Sequence, residues 1–153
     1  MRQCVTFIDL CDVPPKELVA MLNECEVRAH LIKHELFTVQ TAYEWVSRKA
    51  EMNAIKGCYI RAIDVDGQLA GWCGIQPDGD DYEVAIVLRQ RYWGAGISVF
   101  RVLLDKAKSM GHKEVVLNLL STRPKYDSLV RRASKVEIRQ IHGGCFTSYF
   151  IPL

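Results

Sequence analysis

The sequence predicts an α/β fold of the α+β kind. One domain spans residues 1–153, built on a mixed, mostly antiparallel sheet with a single central parallel βαβ pair. Three observations carry this expectation. Residues 58–88 hold three apolar, β-branched runs separated by Asp66-Gly67 and by Pro77-Asp78-Gly79-Asp80, the pattern of an antiparallel meander. Residues 82–120 then read strand, glycine loop, helix, strand, and strands joined through a helix lie parallel with a right-handed crossover. Finally, 153 residues with 49% hydrophobic and 25% charged side chains and a formal net charge of +2 suit one ordinary core. Such a chain is neither disordered nor strongly basic like a dedicated nucleic-acid binder.

The elements follow in order. Residues 4–10 (C-V-T-F-I-D-L) alternate enough for a first strand. Pro14 and Pro15 after Asp12 mark a helix start, and residues 17–34 carry Leu18, Met21, Leu22, Cys25, Ala29 and Ile32 at helical spacing. A second helix is expected over 41–52, capped by Thr41 with Glu44 completing a capping box, and with Ala42, Trp45, Val46 and Ala50 as its apolar face. Gly57 ends the helical region, and strands are expected over 58–65, 68–75 and 82–88. Val99, Val102, Leu103 and Ala107 predict a helix over 97–110, stopped by Gly111. Residues 114–120 (E-V-V-L-N-L-L) read as a buried strand. A helix over 126–133, a strand over 136–141, a turn at His142-Gly143-Gly144 and a strand over 145–152 complete the chain.

The chemistry is concentrated between strand 82–88 and the helix after it, in Arg91-Tyr92-Trp93-Gly94-Ala95-Gly96-Ile97-Ser98. A strand that runs through glycines into a helix leaves backbone N–H groups pointing out at the positive end of the helix dipole, an anion site suited to a pyrophosphate. The P-loop pattern is absent, and the dinucleotide pattern fails because Val99 stands where its third glycine belongs. The stretch resembles instead the coenzyme A loop of the GNAT superfamily of N-acetyltransferases. Arg91-x-x-Gly94-x-Gly96 matches the form Q/R-x-x-G-x-G/A, and Tyr92 to Ser98 resembles Y-[RW]-G-x-G-[IY]-[GA]. The second register is preferred, because it sets the small Ser98 in the first helical turn. The resemblance covers residues 59–153 and is tightest over 82–110. It implies a GNAT-like sheet with helices on both faces, acetyl-CoA as cofactor and an amine acceptor: a protein N-terminus, a lysine, an aminoacyl-tRNA or a small amine. It also implies that strands 82–88 and 114–120 splay apart to admit the pantetheine arm. Backbone groups near Leu88 would then pair with the arm, and Arg91, Trp93, Gly94, Ala95, Gly96, Ile97 and Ser98 would hold the phosphates.

The resemblance places a general base at Glu83, acting directly or through water, with Asp81 on the same strand face. An ordinary surface acid is the alternative reading for Glu83. The proton donor is the departure from the pattern. The usual tyrosine position holds Val130, which has no proton to give, and Tyr126 lies one helical turn earlier, where its hydroxyl is expected to point away. Tyr126 is the candidate acid, with an exposed structural tyrosine as the alternative reading, and Ser121, Ser128, Cys145 and water are the lesser candidates. The missing tyrosine also leaves room for a non-catalytic acyl-CoA-binding module. Arg123, Lys125, Arg131, Arg132 and Lys135 form a basic cluster. They suit the cofactor's 3′-phosphate, an acidic partner, or a nucleic-acid-modifying acyltransferase; a solvated basic face is the plain alternative. A second copy of the chain is a further candidate partner.

Remaining features point elsewhere. His30 and His34 stand four apart, but no third ligand accompanies them and no metal site is expected. Cys4, Cys11, Cys25, Cys58, Cys73 and Cys145 form no C-x-x-C pair and read as reduced, buried thiols of a cytoplasmic protein. No run of membrane-spanning length and no signal-peptide pattern is present.

Overall fold

A computed structural model describes residues 3–29, 35–141 and 143–153. The chain runs β1 (Val5–Ile8), α1 (Pro15–Leu22), α2 (Cys25–Ala29), α3 (Val39–Asn53), β2 (Tyr59–Val65), β3 (Gln68–Asp78) and β4 (Asp81–Leu88). It continues through α4 (Gly96–Ser109), β5 (Glu114–Leu120), α5 (Asp127–Arg132), β6 (Lys135–Ile141) and β7 (Gly144–Pro152). Among the described residues the strands form one sheet in the order β1-β2-β3-β4-β5-β7-β6. Every neighbouring pair is antiparallel except β4 and β5, which are parallel and share a single register pair, Glu83 with Val116. The expected mixed sheet with one parallel βαβ pair is therefore present, and helices cover both faces. On one face Val99, Leu103, Leu104 and Ala107 of α4 bury against Val84, Val115, Tyr149 and Ile151. On the other, Leu18, Met21, Leu22, Val27 and Ala42 bury against Ile60, Ala62, Trp72 and Val87. Alternation along β4 sends Val84 and Leu88 to the α4 face, and Val87 to the α1–α3 face together with Glu83 by the same period of two.

Several expected boundaries move, each for a local reason. The helix expected over 17–34 ends at Leu22. The side-chain amide of Asn23 donates to the Phe37 carbonyl at 2.9 Å and accepts from the Phe37 N–H at 2.8 Å, so residue 23 serves the incoming chain instead of a helix. A short α2 follows; His30, Ile32 and His34 lie outside the described residues. The cap of α3 is Thr38, not Thr41. Thr38 Oγ1 accepts from the Thr41 N–H, and the Thr41 hydroxyl accepts from the Thr38 N–H, so threonine takes the place expected of Glu44 in the box. Ala50, expected on the apolar face of that helix, is exposed.

The second turn is shorter than expected, because β3 continues through Pro77 to Asp78. Asp78 closes the hairpin against Asp81, so Pro77 faces Tyr82 at the next position, where an antiparallel pair exchanges no hydrogen bonds. On its other side β2 pairs no further than Tyr59 with Ile75, so no neighbour asks Pro77 for an N–H. Along α4, Val102 is exposed and Leu104 is buried, because the stripe of Val99, Leu103 and Ala107 widens toward Leu104. Only Cys58 and Cys73 are buried; Cys4, Cys11, Cys25 and Cys145 are exposed, and all six are unbridged.

One glycine fixes the spacing of the sheet beside the site. A Cβ on Gly71 would fall 1.9 Å from the Val87 carbonyl oxygen, so β3 and β4 meet at Gly71–Leu88 only because that atom is missing.

Candidate functional site

Beyond the Glu83–Val116 pair, β4 and β5 do not pair, and a cavity of about 710 Å³ opens between them. Ile86, Val87 and Leu88 form one wall, and Leu117, Asn118 and Leu119 the other. Gly96, Ile97, Phe100 and Arg101 of α4 stand at the mouth, and α5 supplies Ser128, Leu129 and Arg132. Val27 of α2 reaches the cavity from the opposite face of the sheet, so both layers border the opening. Its charge is one-sided. Arg101, Arg123 and Arg132 line it, and among the described residues no carboxylate does.

The loop into α4 is a 3-10 turn over Gln90–Ala95, and α4 begins at Gly96 with no side-chain cap. The N–H groups of its first turn thus have no side-chain acceptor, next to the positive end of a 14-residue helix. A Cβ on Gly94 would meet nothing within 4 Å, and one on Gly96 would meet only Leu88 Cδ1, at 3.8 Å. The protein thus packs nothing tightly against these two positions, and the space beside the amides stays open. Trp93 is half-exposed and lines the cavity, and its indole N–H donates to the Leu88 carbonyl at 3.1 Å. That carbonyl keeps its second lone pair for another donor.

The residues singled out from sequence divide between cavity and surroundings. Leu88, Trp93, Gly96, Ile97 and Tyr126 line the cavity, whereas Arg91, Gly94, Ala95 and Ser98 do not. Arg91 lies over the ring of Tyr92, Ala95 is buried, and Gly94 and Ser98 are exposed. Tyr126 is the N-cap of α5 with extended backbone, not a residue inside the helix, so the expectation that helix geometry turns its hydroxyl away has no basis here. Val130 is exposed and off the cavity. Of the basic cluster, Arg123 and Arg132 line the cavity, while Lys135 pairs with Glu137 at 3.1 Å.

Glu83 does not line the cavity; Asn118 does. Glu83 instead sits at the centre of a polar chain on the α3 face of the sheet. Gln76 Nε2 donates to its Oε1 at 2.7 Å, and Asn118 Nδ2 donates to its Oε2 at 2.8 Å. Lys49 Nζ of α3 donates to Gln76 Oε1 at 2.7 Å. At the other end Arg139 donates to Asn118 Oδ1 at 3.2 Å and to Asp78 at 2.7 Å, and Ser148 donates to Asn118 Oδ1 at 2.6 Å. Burial pushes the Lys49 ammonium down to about 8, against the pull of Glu83 in the other direction. Sequence reasoning missed Lys49, Gln76, Asn118 and Arg101. Asn118 had a signal, a lone amide in an apolar strand, and Arg101 lies one helical turn after Ile97. Lys49 and Gln76 had none.

A central sheet split at its one parallel pair, α4 entering at the mouth of the split, and helices on both faces decide the comparison. The chain has the fold of the GNAT acetyltransferases. It superposes on the microcin C7 self-immunity acetyltransferase MccE, solved with acetyl-CoA and AMP, with a TM-score of 0.71 at 13% identity, over 96% of this chain and 90% of that one. The GNAT domain of S. lividans PAT gives a TM-score of 0.67 at 12% identity, over 96% and 89% of the two chains. The PaiA N-acetyltransferase of Thermoplasma acidophilum, solved with coenzyme A, gives 0.59 at 12% identity, over the full length of both. No family model matches the sequence, and no curated protein does. No helix among the described residues is long and apolar enough to cross a membrane.

Proposed function

We propose that this protein is an acetyl-CoA-dependent N-acetyltransferase acting on a primary amine. The observation that carries the reading is the cavity between unpaired β4 and β5 with the uncapped start of α4 at its mouth. The residues present suit the cofactor. The open space at Gly94 and Gly96 suits a pyrophosphate beside the α4 amides, and Arg101, Arg123 and Arg132 offset its negative charge. The unpaired edges of β4 and β5 suit an extended arm that takes backbone hydrogen bonds. MccE and PaiA, which share the fold, were solved with acetyl-CoA and coenzyme A.

Acetyl-CoA supplies the thioester whose acetyl group passes to the amine. Glu83 takes the proton of the acceptor ammonium, through water, since Asn118 and not Glu83 faces the cavity. Tyr126, at the cavity wall, would give a proton to the sulfur as it leaves and take one back from the nitrogen as the amide forms. The apolar walls keep bulk water from the reacting groups.

A turnover screen of acetyl-CoA against small amines, peptides with free N-termini, lysine peptides and aminoacyl-tRNA tests the reading. Turnover with at least one class is expected. In that assay Glu83→Gln should lose ~100- to 10,000-fold in kcat while coenzyme A affinity holds, the range typical of a lost general base. The deficit should narrow at high pH, where the acceptor amine is neutral without help. Wild-type turnover by Glu83→Gln at neutral pH would make Glu83 structural. Coenzyme A binding without turnover on any acceptor would favour an acyl-CoA-binding module, the reading that Val130 in place of the usual tyrosine supports.

A further inference from the structure

We propose that Lys49 is a positioning residue: acting through Gln76, it fixes the direction in which the Glu83 carboxylate is held at the closed end of the β4–β5 opening. The inference rests on the reading of Glu83 as the base.

The argument starts from donor and acceptor inventory. A lysine ammonium only donates and a carboxylate only accepts. An amide placed between them has one allowed orientation, oxygen toward the lysine and nitrogen toward the carboxylate. Gln76 is in that orientation, with Lys49 Nζ at 2.7 Å from its Oε1 and Glu83 Oε1 at 2.7 Å from its Nε2. Asn118 repeats the device from the other side, its Oδ1 taken by Arg139 and Ser148 and its Nδ2 turned to Glu83 and Asp78. Glu83 is thus gripped by two amide NH₂ groups, each set by a cation behind it. The sequence of groups is cation, amide, carboxylate, amide, cation, drawn from α3, β3, β4, β5 and β6. The Arg139 end is doubly fixed, since Arg139 also pairs with Asp78 at 2.7 Å. Among the described residues the Lys49 end forms no ion pair, and Lys49 is the donor that holds the Gln76 oxygen.

Lys49 is held for this task. Its ammonium lies 4.5 Å from the ring centroid of Trp72 and 5.6 Å from that of Trp45, two rings in edge contact with each other. Burial opposes its charge, so as a packing residue it is a poor choice. The groups around it are Glu83 on β4, Arg48 beside it on α3, and Asp9 and Cys11, which share a small cavity with it. Its low ammonium value, about 8, makes the arrangement readable by titration.

The test is ¹³C NMR of the free protein, following the Lys49 side chain, the Gln76 side-chain amide and the Glu83 carboxyl carbon between pH 6 and pH 10. The Glu83 and Gln76 signals should inflect together with Lys49, near pH 8. In Lys49→Met that inflection should vanish and the separation between the two hydrogens of the Gln76 amide, read by proton–nitrogen correlation, should shrink toward that of a free glutamine side chain. In Lys49→Arg, a donor that stays charged across the range, the separation should return without the inflection. Gln76→Met, which leaves Lys49 in place, should cut the Glu83 inflection to the part carried through space by the two charges, and serves if a Lys49 variant does not fold. A Glu83 signal that ignores the Lys49 titration, or keeps its inflection in Lys49→Met, overturns the proposal. The titration reads positioning alone, whereas turnover of Glu83→Gln reads the general-base assignment, so either can fail without the other.

Discussion

Gly94 and Gly96 have room for a methyl group on the protein side, so the fold itself makes no use of their missing side chains. Gly96→Val should therefore fold with a near-wild-type thermal midpoint and lose measurable coenzyme A binding in calorimetry; a folded variant with unchanged affinity would remove the phosphate role of the loop. The thiols divide in the same residue-by-residue way. Burial pushes the Cys73 thiol up to about 12, so in native protein it should resist alkylation at pH 8 while the exposed Cys4 and Cys25 react, as mass mapping would read. Lys49 makes a stability prediction with a definite sign. Its folded value near 8 lies below the ordinary 10.5, so the unfolded chain binds the extra proton between them. The cost of burying the ammonium is fully present below pH 8 and is relieved as pH rises toward 10.5. Lys49→Met should be at least as stable as wild type at pH 7 in urea melts, with the gap closing above pH 8. The glycine loop was legible because its chemistry is local. Lys49 and Gln76 were not, because a helix and a strand 27 residues apart in the chain meet only in the folded protein.

At the scale of elements, local signals placed nearly every strand and helix, and the failures share one cause. Thr41 and Glu44 made a plausible cap, yet Thr38 wins because Asn23 clasps Phe37 and delivers the chain to the helix one turn earlier. The periodicity of 17–34 was real, but the same asparagine ended the helix at Leu22. Pro77 looked like a turn residue because nothing in the sequence says that β2 stops short of it. In each case a partner distant in the chain decided the boundary. The cap predicts that Thr38→Ala costs about 1 kcal/mol in chemical denaturation. A larger loss is expected at the junction of β3 and β4. Gly71→Ala drives a Cβ onto the Val87 carbonyl, and backbone has no rotamer to escape into. The cost should be ~3 kcal/mol or more, since overpacking a rigid site commonly costs 1–3. Coenzyme A affinity should fall with it, because the strand displaced carries Leu88. A Gly71→Ala protein as stable as wild type would mean that β4 can shift freely there.

Across the whole molecule, one register pair joins β1–β4 to β5–β7–β6, and the cavity occupies the rest of that seam. A ligand seated there touches both blocks at once. Coenzyme A at a hundredfold excess over Kd should add about 2.7 kcal/mol, and about 2–4 °C per kcal/mol in thermal midpoint for a chain of this size. Hydrogen exchange should slow on both β4 and β5, and slowing confined to one of them would place the ligand elsewhere. The seam in space is also a seam in sequence. Every strand before Gly111 lies on one side of it and every strand after Lys113 on the other. A protease cut in the turn between them would sever no antiparallel ladder. The two pieces would each keep a private set of strand partners, and would stay together through the Glu83–Val116 rung and the packing of α4 across the join. The nicked protein would then serve as a split reporter, two complementary fragments whose reassembly a coenzyme A seated in the seam would promote.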